Sequence, residues 1–399
     1  MHIDLFSPTS FAHGQPHDQF RWLRERDPVH WQEEPGGRGY WAVTRYADIW
    51  TVDRDFQTFS SEPTIMIADP PSGQENGGLG PYKMMLMMDP PEHAGFRKLI
   101  RNEFTAPAAR LRAERIAELA RQIVDKVAKK GECDFVAEVA GEMPSYVIAE
   151  LLGLPLDDGR ELYKLTEVIH TAPEALPPGA SAEAVGKMFA YGMGVVAEKR
   201  ARPADDLASK LLAAEVDGRR LEDPEFLLFF LLLIDAGGDT TRNLLAGGLL
   251  ALMESPDQLA WLKSDLDARL PGARDELLRW TSPVIYMRRT ARRDTELAGK
   301  KIAAGDKVVM YFGSANRDPD RFERPEELDL SREMPDGHLA FGAGPHVCLG
   351  QHIAKVEIDA MLREVLIRMD GFELAGEPEW LPSNFISGPK TMPIRYRAL

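Results

Sequence analysis

The run PEFLLFFLLLIDAGGDTTRNLLAGGLLALMES, from Pro224 to Ser255, constrains the fold more than any other stretch. It reads as one long helix, apolar around most of its circumference, and such a helix is buried rather than laid on a surface. Helical periodicity dominates from about Glu92 onward. AERIAELARQIVDKVAKKG is amphipathic and is expected to stop at Gly131, a residue suited to a helix C-cap. PGARDELLRWT and LGQHIAKVEIDAMLREVLIRMD read as further helices, the second beginning near Leu349. Strand signals are short: GYWAVTR, TELAGKKIAAGDKVVMYF and KTMPIRYRA. Loops rich in Pro and Gly occupy Pro63 to Gly80 and Pro173 to Gly179. The expected fold class is mainly α, an α+β arrangement with small sheets. One domain is expected over residues 1–399, β-rich over about 1–90 and helix-rich over about 91–399.

A chain of 399 residues can bury a large core without disulfides. Its two cysteines, Cys133 and Cys348, lie far apart and lack metal-type spacing, which fits a reducing compartment. Cys133 reads as a small buried residue. A net charge of -15 disfavours nonspecific nucleic-acid binding. The N-terminus has no basic region followed by an apolar one, so no signal peptide is expected. The longest apolar run, Phe226 to Ile234, is too short to span a bilayer. The expectation is a cytoplasmic monomer without a membrane anchor or a nucleic-acid partner.

Cys348 sits in FGAGPHVCLG, Phe341 to Gly350. Gly342, Gly344 and Gly350 permit positive φ and a close approach of the backbone to a flat object. Pro345 stiffens the turn. Cys348 falls just before a helix start, whose free N–H groups favour a thiolate. The loop therefore suits an anionic cysteine held against a planar partner. A Gly-rich turn around an inert cysteine is the plainer alternative.

The string Phe-Gly-x-Gly-x-His-x-Cys-x-Gly resembles the haem-binding loop of the cytochrome P-450 superfamily at every defining position. That resemblance implies a helix-rich triangular prism with small β-sheets, haem b (iron protoporphyrin IX) as cofactor, and Cys348 as axial ligand of the iron. It implies haem contacts for Phe341, Gly342 and Gly350, and a propionate contact for His346. AGGDTT inside the long helix resembles the family's oxygen-activation motif. Ala236, Gly237, Thr240 and Leu244 share one face, and small residues there leave room beside a flat cofactor. By the resemblance, Thr240 orders water for dioxygen activation and Asp239 relays protons from solvent.

Three further matches follow the family's order. Glu276 and Arg279, with Arg332, resemble its buried structural network. His93 and Arg97, four apart on a predicted helix, match its propionate contacts. So does Arg289, five residues before Asp294, with Arg288 as a competing assignment. Only a short chain follows Cys348, and no Gly-x-Gly-x-x-Gly follows a strand, so electrons are expected from a separate ferredoxin. The basic face carrying Arg97, Lys98, Arg101, Arg110 and Arg112 is the expected dock.

The family's substrate regions map onto mostly apolar residues. In the first half these are Ile65, Met66, Ile67, Met85, Leu86, Val168 and Ile169. Later come Leu233, Val284, Ile285, Met287, Phe385 and Ile386. MMLMMDPPEH and FISGPKTMPIRY resemble bacterial members acting on sterols, terpenoids and methyl-branched lipids. His170 and Tyr286 are candidate hydrogen-bond partners for a substrate oxygen, with plain loop and core residues as the alternative. The function expected is a monooxygenase acting on a hydrophobic small molecule. Alternatives are oxidative coupling, peroxide-driven oxidation, or a non-catalytic haem sensor or carrier.

Overall fold

The computed structural model describes residues 1–70, 81–171, 176–216 and 218–399. The parts of the two predicted loops at 71–80 and 173–175 lie outside the described residues. The long helix runs Asp223–Glu254, opened by a capping box between Glu222 and Glu225. Phe226 to Ile234 are all buried, so this central helix is the axis of the main core. Around it pack the helices Glu142–Leu152, Leu156–His170, Ala180–Ala201, Leu266–Thr281 and Gln351–Arg368. The helix Ala106–Val127 lies along Gln351–Arg368.

Three boundaries differ from expectation. The amphipathic helix ends at Val127 with Ala128 as C-cap, and Gly131 takes its positive φ of 78° three residues later, in the turn to a strand. The helix of PGARDELLRWT begins at Leu266, upstream of Pro271, because the Asp265 side chain caps it by accepting from the Ala268 N–H. The last long helix starts at Gln351 rather than near Leu349.

Among the described residues up to 90, strands are the minor element, against the expected β-rich part. These residues contribute strands Val29–Gln32, Tyr40–Val43 and Phe59–Ser60, outweighed by helices His17–Arg26 and Tyr46–Arg54. Strands this short cannot complete a sheet alone. Lys307–Tyr311 pairs in parallel with Tyr40–Val43, and Tyr286–Ala291 joins Lys307–Tyr311 to Phe59–Ser60. The five-stranded sheet thus draws on both ends of the chain. A smaller sheet joins Met369–Leu374, Pro393–Ala398 and Glu132–Asp134, with buried Cys133 in its edge strand.

Candidate active site

One apolar cavity, with about 1590 Å³ of atom-free space partly open to solvent, separates the cysteine loop from the central helix. Phe341, Gly342, His346, Cys348 and Gly350 form one wall. Gly342 and Gly344 have φ of 66° and 62°, a region that favours glycine. The Cys348 N–H donates to the Phe341 carbonyl at 2.8 Å and closes the loop. Burial pushes the Cys348 thiol up, opposed by the N–H of Gly350, by Arg97 and by the N–H of Gln351. Burial wins in the protein alone; a bound metal cation would reverse that balance.

Ala236, Gly237, Thr240 and Leu244 supply the facing wall, as the helical spacing predicts. The two glycines have different tasks. A Cβ on Gly237 would meet only Ile148, at 3.6 Å, whereas one on Gly238 would lie 2.8 Å from the Tyr163 ring. Gly237 keeps the cavity open, and Gly238 lets a neighbouring helix close in. Thr240 Oγ1 donates to the Ala236 carbonyl at 3.2 Å.

Asp239 does not line the cavity. It is buried on the other side of the helix, 3.3 Å from Arg242 and bonded to His170 Nδ1. Burial raises its carboxyl, but Arg242 and His170 hold it below its usual range. His170 Nε2 lies 3.1 Å from Asp235. Both ring nitrogens are therefore engaged by carboxylates, which corrects the expectation that His170 bonds a substrate. Burial pulls this imidazolium down, yet Asp235 and Asp239 push it up to about 10.

His93, Arg97 and Arg289 reach the same cavity. Helix Glu92–Ile100 puts His93 and Arg97 on one face, and Arg97 donates to the Val347 carbonyl at 2.6 Å. Strand alternation separates the two arginines of Tyr286–Ala291: Met287 and Arg289 face the cavity, Tyr286 and Arg288 do not. Arg288 instead grips the Met66 and Ile67 carbonyls at 3.2 and 3.1 Å and Asp69 at 2.7 Å. Tyr286 is buried and its hydroxyl accepts the Ile67 N–H at 3.2 Å, so it too is unavailable to a substrate.

Of the apolar candidates, Ile65, Met85, Leu86, Leu233, Val284 and Met287 line the cavity. The others do not. Ile67 and Ile285 belong to a separate core with Leu5, Phe20 and Tyr311, and Phe385 packs at its edge. Met66 offers its carbonyl to Arg288. Ile386 bridges Val284 through the backbone. Ile169 packs on the main core, and Val168 is half-buried away from the cavity. Behind the loop, Arg279 makes two 2.7 Å bonds to Glu276, which Arg332 approaches to 3.1 Å. All three side chains are buried.

Sequence reasoning missed Asp53 and Glu357, which both line the cavity. Glu357 had a signal: it interrupts the apolar face Ile353, Glu357, Met361 at i, i+4 spacing. Burial pushes its carboxyl up to about 8, with Thr241 opposing. Asp53 had none, since its partners are distant in sequence.

Comparison with known proteins gives this arrangement its class. The cytochrome P450 family profile matches residues 183–375. Cytochrome P450 126 of Mycobacterium tuberculosis is 38% identical over 99% of this chain and 97% of its own length. The chain belongs to the cytochrome P450 family. The steroid C26-monooxygenase of Rhodococcus jostii is 36% identical, over 99% of this chain and 85% of its own. The solved structure of CYP268A2 from Mycobacterium marinum in complex with pseudoionone superposes with a TM-score of 0.91. It is 37% identical and covers 99% of this chain and 98% of that one. The protein is a P450 monooxygenase that binds haem b.

The cavity fits that cofactor. Beside the cysteine it gathers two guanidiniums, Arg97 and Arg289. Burial and these cations lower His346 to about 2, and burial and Arg97 lower His93 to about 4. The rings lie 4.0 Å apart, and the two guanidiniums match the charge of two propionates.

Proposed function

We propose that the protein inserts one oxygen atom from dioxygen into a hydrophobic small molecule of sterol, terpenoid or branched-lipid type. The observation that carries this is the placement of Cys348 and Thr240 on the walls of one apolar cavity. Haem bound there supplies the iron that activates dioxygen. Cys348 would ligate that iron, and Arg97 and Arg289, with His93 and His346, would hold the propionates. Thr240 directs a proton-bearing water into the cavity, and Asp239, behind it, helps relay protons from solvent. Ile65, Met85, Leu86, Leu233, Val284 and Met287 orient the substrate by shape and exclude water. The named activity of the steroid relative and the terpenoid-like ligand of the solved relative support the substrate class.

Electrons come from a separate ferredoxin and its reductase. The dock is narrower than the sequence implies. Arg97 faces the cavity and Arg112 is paired with Glu103, whereas Lys98, Arg101 and Arg110 are exposed, as is Leu111, at 86%. Among the described residues no helix is long and apolar enough to cross a membrane. We place the protein in the cytoplasm, where such donors reside.

The reduced carbon monoxide adduct tests the reading. A red-shifted thiolate-type Soret band is expected, and Cys348→Ala should lose it; a band that survives this substitution refutes the ligand assignment. Thr240→Ala should keep substrate binding but divert reducing equivalents to peroxide. Reduction by ferredoxin should slow with rising salt and in Arg101→Glu/Arg110→Glu.

A further inference from the structure

Asp53 lies in the last turn of the helix Tyr46–Arg54, far in sequence from Arg289 and the cysteine loop. It is 4% exposed, and both carboxylate oxygens are used. One accepts from Arg289 Nη2 at 2.6 Å. The other accepts from the Ala343 N–H of the cysteine loop at 2.7 Å. The same turn presses on that loop: a Cβ on Gly344 would lie 2.6 Å from the Asp53 carbonyl oxygen. Arg289 has a second anchor, since its Nη1 donates to the Arg288 carbonyl at 3.0 Å. Two of the five guanidinium N–H groups are thus held from the protein side, leaving the rest for the cavity.

We infer that Asp53 is a positioning residue that fixes Arg289 against the cysteine loop and sets how much positive charge that arginine presents to the cofactor. The inference rests on the reading of Arg289 as a propionate partner. Reduction adds one electron to the haem. A nearby cation favours the reduced state, and a buried carboxylate against that cation offsets it. Asp53 also joins the two sides of the cofactor site, propionate arginine and thiolate loop, through one side chain. A purely structural ion pair would predict a loss of stability and nothing else.

The test is the ferric/ferrous midpoint potential of the haem-loaded protein. Asp53→Asn and Asp53→Ser remove the charge; Asp53→Glu retains it. The neutral variants should move the reduction equilibrium tenfold toward the ferrous state, about 59 mV upward for one electron. Asp53→Glu should stay near wild type, and all haem-loaded variants should keep the thiolate-type Soret band. With Arg289→Gln as background, Asp53→Asn should cause a much smaller shift. Loss of haem from both neutral variants, with native circular dichroism and retention in Asp53→Glu, also supports the coupling. An unchanged potential in a haem-loaded neutral variant overturns it, as does an equal shift in Asp53→Glu. Failure of the underlying reading looks different: wild type would lack the thiolate band, or Arg289→Gln alone would leave the potential unmoved.

Discussion

The wall that carries Cys348 and the wall that carries Thr240 face the same space but are held by different forces. The first is built from backbone: glycines at positive φ, a loop closed by the Cys348 N–H, and two histidines kept neutral. The second is braced by charge. Asp239, Arg242, His170 and Glu167 tie the central helix to Leu156–His170. A wall made of local geometry holds its shape across ordinary changes of pH and salt. A wall made of paired charges responds to them and can be loosened without unfolding.

The largest effect should come from behind the first wall. Arg279→Ala takes from the fully buried Glu276 its two shortest bonds, leaving Arg332 as its cation, and removes donors to the Asn316, Pro325 and Glu327 carbonyls. Denaturant titration should show a loss of about 3–5 kcal/mol. Gly344→Ala comes next, with φ at 62° and backbone 2.6 and 3.0 Å from the new Cβ. A loss on the order of 3 kcal/mol and poor haem retention are expected. Comparable stability in that variant would mean the loop is not shaped by its glycines.

The second wall should reveal itself through pH. The folded value for His170, about 10, lies above its ordinary 6.5. Its contribution is fully present below pH 6.5 and is lost as pH rises through 10. The groups facing it are Asp235 and Asp239, with Arg242, Glu167 and Tyr163 behind them. His170→Asn should therefore cost on the order of 2 kcal/mol at pH 6.5 and progressively less toward pH 10. A difference from wild type that does not vary with pH would remove the electrostatic account of this wall. Gly237→Ala should be the mildest, changing stability by about 1 kcal/mol or less, because a better helix former meets only Ile148. Its effect should appear in substrate-binding spectra instead.

The same contrast governs what could be read from the sequence. The glycines, proline and cysteine of the cysteine loop lie within ten consecutive residues, so they could be interpreted together. The central helix was legible because its apolar pattern is continuous. The partners of Asp239 were not, since His170 and Glu167 come from another helix and carry no mark of their destination. Arg288 and Arg289 looked interchangeable until a strand assigned them to opposite faces. Ile65 and Ile67 are equally apolar, yet one lines the cavity and the other fills the core under the sheet. Apolar character specifies burial but not which core receives the side chain.

The five-stranded sheet has a consequence for when the protein can be assembled. Trp41 pairs early with Trp31 but gains its second neighbour only with Val308, and Phe59 pairs only with Ala291. During synthesis the early strands leave the ribosome with exposed edges and wait through most of translation for their neighbours. Arg289 emerges in the same stretch and Cys348 later still, so the cofactor pocket has no finished walls until the cysteine loop has been made. Haem capture thus follows synthesis of the cysteine loop, and a cell short of haem would accumulate chains whose cofactor-side contacts are unmade.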